Sequence, residues 1–410
     1  MKKEIALIIA IIITTSVYSQ ERLFKVNSSD SIQGEPRISA WFGANMKMNG
    51  YYNIKGGLQE YDTFNLGNID VNGNDDRQNI GVDLYQTQIR LDAAYMHPEL
   101  GKIRAHVEWD FWGGNGQMRL RKAYVMTNHW QIGQDWENFG DQNVWPNVLD
   151  FDGPPSGVWA RLPFLKYFND FKNKKWKYEL ALQAPLVNYN EYPNISPSIE
   201  STYQNLPEGV AAVKYVGNWG HIRLSTIFRG INYLEDQEEK RILGYGASLS
   251  SMIGNFGESN FQFQYAIGEG ISAYLVSHGG SGFDAYPKTS GFEPIPSQGG
   301  WAAYEYYLTP KLHFNGVIGF TKFQITDVTE FEVSDPENSA ISVTDGNATA
   351  MHNYYLINVL WDPYPNFTIG VEFDFGTKRI QTDGFEDGVA FSNDDARDAS
   401  RVSFGFMYNF

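Results

Sequence analysis

Along most of its length the chain alternates apolar and polar residues with a period of two. From Gln88 to Tyr95, Ile89, Leu91, Ala93 and Tyr95 share one phase, and Gln88, Arg90 and Asp92 share the other. The next segment repeats the pattern, with Ile103, Ala105, Val107, Trp109 and Phe111 against Arg104, His106, Glu108 and Asp110. Successive side chains of a strand point to opposite faces. Each segment therefore predicts a strand with one apolar face and one charged face. Arg119 and Arg121 share a phase in the run from Met118 to Thr127. Tyr178, Leu180, Leu182 and Ala184 oppose Glu179 and Gln183, and Ile222, Leu224 and Phe228 oppose Arg223, Ser225 and Arg229. At the end of the chain Val402, Phe404, Phe406, Tyr408 and Phe410 occupy every second position.

Such segments recur from a first strand over Arg37–Tyr52 to Phe410, which predicts about sixteen strands. Short turns, such as His97–Gly101, Thr127–His129, Gly217–Gly220, Thr309–Lys311 and Asp362–Asn366, alternate with longer polar loops. The expected loops run to about Asn79 and over Gly268–Gly300, Thr326–Ala350 and Gly376–Ala399. A soluble sandwich would also show one apolar and one polar face. Short turns at one end, long loops at the other and a closing strand of alternating aromatics fit a transmembrane antiparallel β-barrel better. About sixteen strands enclose water rather than a packed core. An even strand number puts both termini at the periplasmic end.

One loop stands apart. Between the short strand Gln131–Gln134 and an extended run over Val158–Tyr167, residues 135–157 have no regular pattern. They carry Asp135, Trp136, Glu137, Asp141, Asp150 and Asp152, and end at Pro154-Pro155-Ser156-Gly157. A structureless stretch this long within a compact protein is usually functional. As the third extracellular loop, it is expected to fold into the lumen and constrict it.

The N-terminus changes the picture of compartment. Lys2 and Lys3 precede an apolar run from Ile5 to Ile13, and Val17 and Ser19 are small. This predicts a secretory signal peptide over 1–19, too short in its apolar part to span a bilayer. Residues 20–36 are read as a flexible periplasmic lead, and 37–410 as the barrel. The chain has 410 residues and no Cys, so neither disulfides nor thiolate metal sites are expected. Its net charge is -16, about -17 without the signal segment, which excludes nucleic acid as a partner.

Candidate chemistry lies on the polar phase. Arg90, Arg104, Arg119, Arg121, Arg161, Arg223 and Arg229 all fall there, with His106, Glu108 and Asp110. An Arg facing lipid at mid-membrane costs about 2–4 kcal/mol, so these residues are expected to line the lumen. Rings of Arg favour anions, and guanidinium grips carboxylates in bidentate fashion. The competing expectation is that the same Arg residues pair with carboxylates and brace the loop. Asp70–Asp76 is oxygen-rich but lacks the distal Glu of a complete calcium loop. The seven His are scattered, so no cofactor is expected. Gly268-Glu269-Gly270-Ile271-Ser272-Ala273 resembles a dinucleotide fingerprint in letters only, because no helix pattern follows it.

The block Glu108-Trp109-Asp110-Phe111, Arg119 to Tyr124, Gly133-Gln134-Asp135-Trp136, Leu149 to Pro154 and Arg161-Leu162-Pro163 resembles DcaP-like porins, and more weakly phosphate-selective porins. The resemblance covers residues 104 to 167 and implies an outer-membrane homotrimer in contact with lipid. It also implies passage of small anionic or polar solutes such as dicarboxylates. Family members often carry an N-terminal coiled coil, and the lead before Arg37 shows no heptads. Two other readings remain open: a barrel plugged by its loops that acts as receptor or adhesin, and an outer-membrane hydrolase.

Overall fold

The computed structural model describes residues 24–410 apart from 115, 173, 194–195, 289, 335–339 and 387–388. The segment expected to be a signal peptide lies outside the described residues. Among those described, sixteen antiparallel strands form one closed sheet. They are β1 (Ile38–Lys55), β2 (Gln88–His97), β3 (Gly101–Gly113), β4 (Gln117–Met126), β5 (Trp130–Trp136), β6 (Arg161–Asp170), β7 (Trp176–Gln183) and β8 (Glu208–Gly217), followed by β9 (Gly220–Glu235), β10 (Glu238–Phe256), β11 (Ser259–Glu269), β12 (Pro296–Thr309), β13 (Leu312–Ser334), β14 (Ala340–Tyr364), β15 (Phe367–Glu386) and β16 (Val389–Asn409). β1 pairs with β2 from Ile38↔Tyr95 to Asn45↔Gln88, and with β16 from Asn45↔Asn409 to Lys55↔Ser400. Closure leaves no sheet edge to aggregate.

The alternation in the sequence decides which face points outward. On β14, Tyr355, Ile357, Val359 and Trp361 are exposed, while Tyr354, Leu356, Asn358 and Leu360 are buried. On β9, Ile222, Leu224 and Phe228 are exposed, while His221, Arg223, Ser225 and Arg229 are buried. Apolar residues recur outside on every second position, while the inside carries polar residues together with apolar ones such as Tyr354 and Leu356 that pack against loops, which suits a wall facing lipid on one side. No helix among the described residues is long and apolar enough to cross a membrane.

The buried apolar side chains lie between loops and the inner wall. Leu58, Phe64, Leu66 and Ile69 of the loop 56–87 pack with Val144 of the loop 137–160 and with Trp301, Val317 and Tyr354 of the strands. Phe139 and Val158 pack with Leu275, Leu162, Ile227 and Ala266.

Several expected boundaries shift. β1 starts at Ile38 and runs to Lys55. β5 extends through Trp136 and β6 starts at Arg161, so Asp135 and Trp136 end a strand and the irregular loop is 137–160. Val158 makes only an isolated bridge to Leu275. The loops expected over Thr326–Ala350 and Gly376–Ala399 are mostly strand, because β13 to β16 continue well past the apolar band. Asp is depleted in strands, which made the Asp-rich stretch look like a loop. Opposite charges across strands offset that tendency, as in the ion pair of Arg379 with Asp394. The connections after β3 and β9 are only three and two residues long.

The N-terminal lead is also bound rather than free. Phe24–Asn27 pairs with Phe42–Ser39 of β1, and the Phe24 ring stacks on Phe42 at 5.6 Å. β16 ends opposite Asn45, so the lower part of β1 would otherwise present an open edge. Lys102 pairs with Glu35 at 2.5 Å and ties the lead to β3.

Candidate functional site

Loop 137–160 is bound at both its ends and its middle. Near its start the Glu137 carboxylate accepts the N–H groups of Phe139 at 2.5 Å and Gly140 at 2.9 Å, which curls the chain. Arg223 on β9 donates to the carbonyls of Gly140 at 2.7 Å and Asn138 at 2.6 Å, and to Glu179 at 3.1 Å. Asp141 lies 2.8 Å from His221 Nε2 and accepts from the Ser250 hydroxyl at 2.9 Å. Farther along, Asn147 donates to Glu305 on β12 at 2.8 Å. Glu372 on β15 accepts the N–H groups of Leu149 and Asp150, each at 2.7 Å. Lys47 on β1 donates to the Leu149 carbonyl at 2.7 Å. Asp150 accepts Phe64 N–H at 2.7 Å and lies 3.7 Å from Arg401 of β16. One loop thus touches β1, β9, β10, β12, β15 and β16.

Environment separates the carboxyls on this loop. Burial, with the Asp150 carboxylate beside it, pushes Asp152 up. Burial also acts against ionisation of Asp141, but the His221 hydrogen bond and the charges of Lys214 and Arg223 outweigh it and hold that carboxyl well below the usual range.

Charged residues on β3 and β4 pair with one another. Asp110 accepts from Arg119 at 2.7 and 3.0 Å and from Arg121 at 2.7 Å. Glu108 accepts from Arg121 Nε at 2.9 Å, with Lys122 Nζ at 3.5 Å. His106 stacks on Tyr124 and lies 2.7 Å from Asp92. The β3–β4 register shifts between Glu108 and Trp109, so Glu108 faces Lys122 while Trp109 faces Leu120. A bulge sets two residues against one and re-aims side chains. Here it turns Lys122, out of phase with Arg119 and Arg121 in the sequence, to the charged face. The expected set of residues missed Lys122. Its signal was the cost of a Lys facing lipid, which makes a break in alternation the cheaper solution.

Other predicted residues have different settings. Arg229 is buried, with Nε 2.8 Å from Glu208 and Nη1 3.2 Å from Asp284. It also donates to the carbonyls of Gly270, at 2.7 Å, and Leu186. Arg223 therefore binds backbone of loop 137–160, whereas Arg229 binds backbone at Leu186 and Gly270. Arg90 is buried and 3.5 Å from the Phe410 carbonyl. Arg104 is exposed on β3. Asp135 accepts from Gln131 at 2.9 Å.

Arg161, like the exposed Arg104, differs from the paired arginines. Its guanidinium lies over the Trp136 ring at 4.9 Å and makes no hydrogen bond or ion pair among the described residues. It borders a cavity of about 230 Å³ with Asn65, Trp145, Asp152 and Trp159. Trp136, Trp145, Trp159 and Trp301 form a chain of ring contacts at 5.2, 4.1 and 6.2 Å. Arg121 sits 5.8 Å from the Trp136 ring and 5.6 Å from Phe151. A cation over an aromatic face is attracted by the ring quadrupole, which needs none of its N–H donors.

No family model matches the chain, and no curated protein matches it in sequence. Solved structures share its architecture. The outer membrane channel DcaP of Acinetobacter baumannii has a TM-score of 0.66 and 18% identity, over 91% of this chain and 97% of that one. The anion-selective porin from Comamonas acidovorans has a TM-score of 0.57 and 10% identity, over 91% and 100%. OmpT, an outer membrane protein of Vibrio cholerae, has a TM-score of 0.51 and 10% identity, over 93% and 100%. The chain has the fold of bacterial outer-membrane channels and porins, a closed barrel of sixteen strands.

Proposed function

We propose that this protein is an outer-membrane porin that passes small hydrophilic solutes and favours anions, dicarboxylates among them. In this reading loop 137–160 narrows the lumen, and Arg161 presents the charge that a permeating anion meets beside the loop. The observation that carries it is the contrast among the arginines. Arg119, Arg121, Arg223 and Arg229 are committed to carboxylates or carbonyls, whereas Arg161 is not. Arg119 and Arg121 add a positive background that Glu108 and Asp110 largely cancel. Assembly as a homotrimer in lipid belongs to the same proposal.

A second reading has its own support. Loops 56–87, 137–160 and 270–295 interlock: Asn65 donates to Asp152 at 3.1 Å, and the N–H groups of Val276 and Ser277 donate to the carbonyls of Gly157 at 3.1 Å and Pro155 at 2.9 Å. A barrel plugged this way would be a surface receptor or adhesin. Planar-bilayer recording of the purified protein separates the two. The porin reading expects stable open-channel steps in KCl, and a plugged barrel gives none.

A further inference from the structure

Cross-strand register reveals a row of cations that sequence phase alone does not show. Lys177 on β7 pairs with Lys214 on β8, and Lys214 pairs with Arg223 on β9. Neighbouring strands lie about 4.8 Å apart, so three positive side chains stand abreast on the inner phase. Like charges directly opposite one another are destabilising. Folding alone gives no reason to set them there.

Their partners are incomplete. Arg223 is saturated by the Gly140 and Asn138 carbonyls and by Glu179. Lys214 approaches Asp141 only to 3.8 Å, and Lys177 approaches Asp170 only to 3.8 Å, with its side chain 48% exposed. Both separations exceed hydrogen-bonding range. Asp141 is already committed to His221 and Ser250, and Glu179 to Arg223. Lys177, Glu179, Lys214 and His221 line a cavity of about 620 Å³ together with the turn Gly217–Gly220. That turn joins β8 to β9 at the short-turn end, whereas Arg161 begins β6 at the long-loop end.

We propose that Lys177 and Lys214 form a second anion-docking station at the short-turn end of the lumen, selective for small divalent oxyanions. It rests on the porin reading for its role in passage, with Arg161 as the first station. Its binding chemistry does not depend on that role. A conducting pore needs sites that attract an ion yet release it, and successive sites achieve this. Two ammonium groups one strand apart match the two negative charges of a phosphate or a short dicarboxylate.

The test is a phosphorus-31 NMR titration of inorganic phosphate into the detergent-purified barrel, with line broadening as the readout of binding. Lys177→Gln/Lys214→Gln is expected to weaken the interaction about thirtyfold, about threefold from the half-exposed Lys177 contact and about tenfold from the more buried Lys214 contact. If the double variant fails to fold, judged by heat-dependent gel mobility, Lys177→Gln alone should still weaken binding about threefold. A variant that titrates like the unaltered protein overturns the station. An unaltered protein that binds phosphate but shows no bilayer current overturns the porin reading and leaves the binding site standing.

Discussion

Replacing Arg229 by methionine is expected to destabilise the barrel by about 3–5 kcal/mol, the range for breaking a buried ion pair from one side. The reason lies in what remains behind. Glu208 and Asp284 flank the guanidinium at 2.8 and 3.2 Å, and both are fully buried. Asp284 also accepts from Ser272 and from the N–H groups of Ala273 and Asn188, so it cannot move away from its burial. Glu208 accepts Leu186 N–H at 3.1 Å. The guanidinium therefore holds loops 184–207 and 270–295 to β8 and β9 at once. Urea unfolding followed by tryptophan fluorescence should show the loss, and limited proteolysis should cut those two loops first. Adding Glu208→Gln and Asp284→Asn to the methionine variant should restore part of the stability, because neutral amides carry a smaller desolvation cost. An Arg229→Met protein within about 1 kcal/mol of the unaltered one would contradict the brace.

Glu372→Ala is expected to change conduction more than any other single substitution in the loop's anchors. Glu372 takes the N–H groups of Leu149 and Asp150 at 2.7 Å each and also accepts from Asn358 at 2.9 Å. Hydrogen bonds to charged groups are worth about 1.5–3 kcal/mol each. Losing two frees the middle of loop 137–160 from β15 while Arg223 and Asp141 still hold its start. Single-channel conductance should rise, with added open-state noise. Glu372→Gln, which keeps an acceptor oxygen, should give a smaller change. Unaltered conductance in Glu372→Ala would mean that the loop does not narrow the path.

Strand phase was legible because lipid and water impose it on every second residue. Val402, Phe404 and Phe406 read as outward from the sequence alone, and β16 carries them at the expected end of the barrel. The upper halves of β13 to β16 were not legible, since Asp-rich segments above the apolar band obey no lipid constraint. Lys122 was hidden by a bulge, a one-residue slip that phase counting reads as an error. Arg401 and Glu372 lie on the polar phase of the last strands, where nothing in the local sequence sets them apart from other lining residues. Their roles appear only once Asp150 and Leu149, more than two hundred residues away, are brought to them. The same distance problem governs the arginines. Seven were visible as inward candidates, but whether each is free depends on remote partners such as Asp284 for Arg229 and Gly140 for Arg223.

The most direct measurement is the reversal potential of the purified protein in a planar bilayer under a KCl gradient, for the unaltered chain and for Arg161→Glu. The unaltered pore should be anion-selective, and Arg161→Glu should shift the reversal toward cations, because it replaces the unpaired cation beside loop 137–160 with an anion. A cation-selective unaltered pore, or a reversal potential that ignores Arg161→Glu, would contradict the account and assign the field to the acidic loop instead.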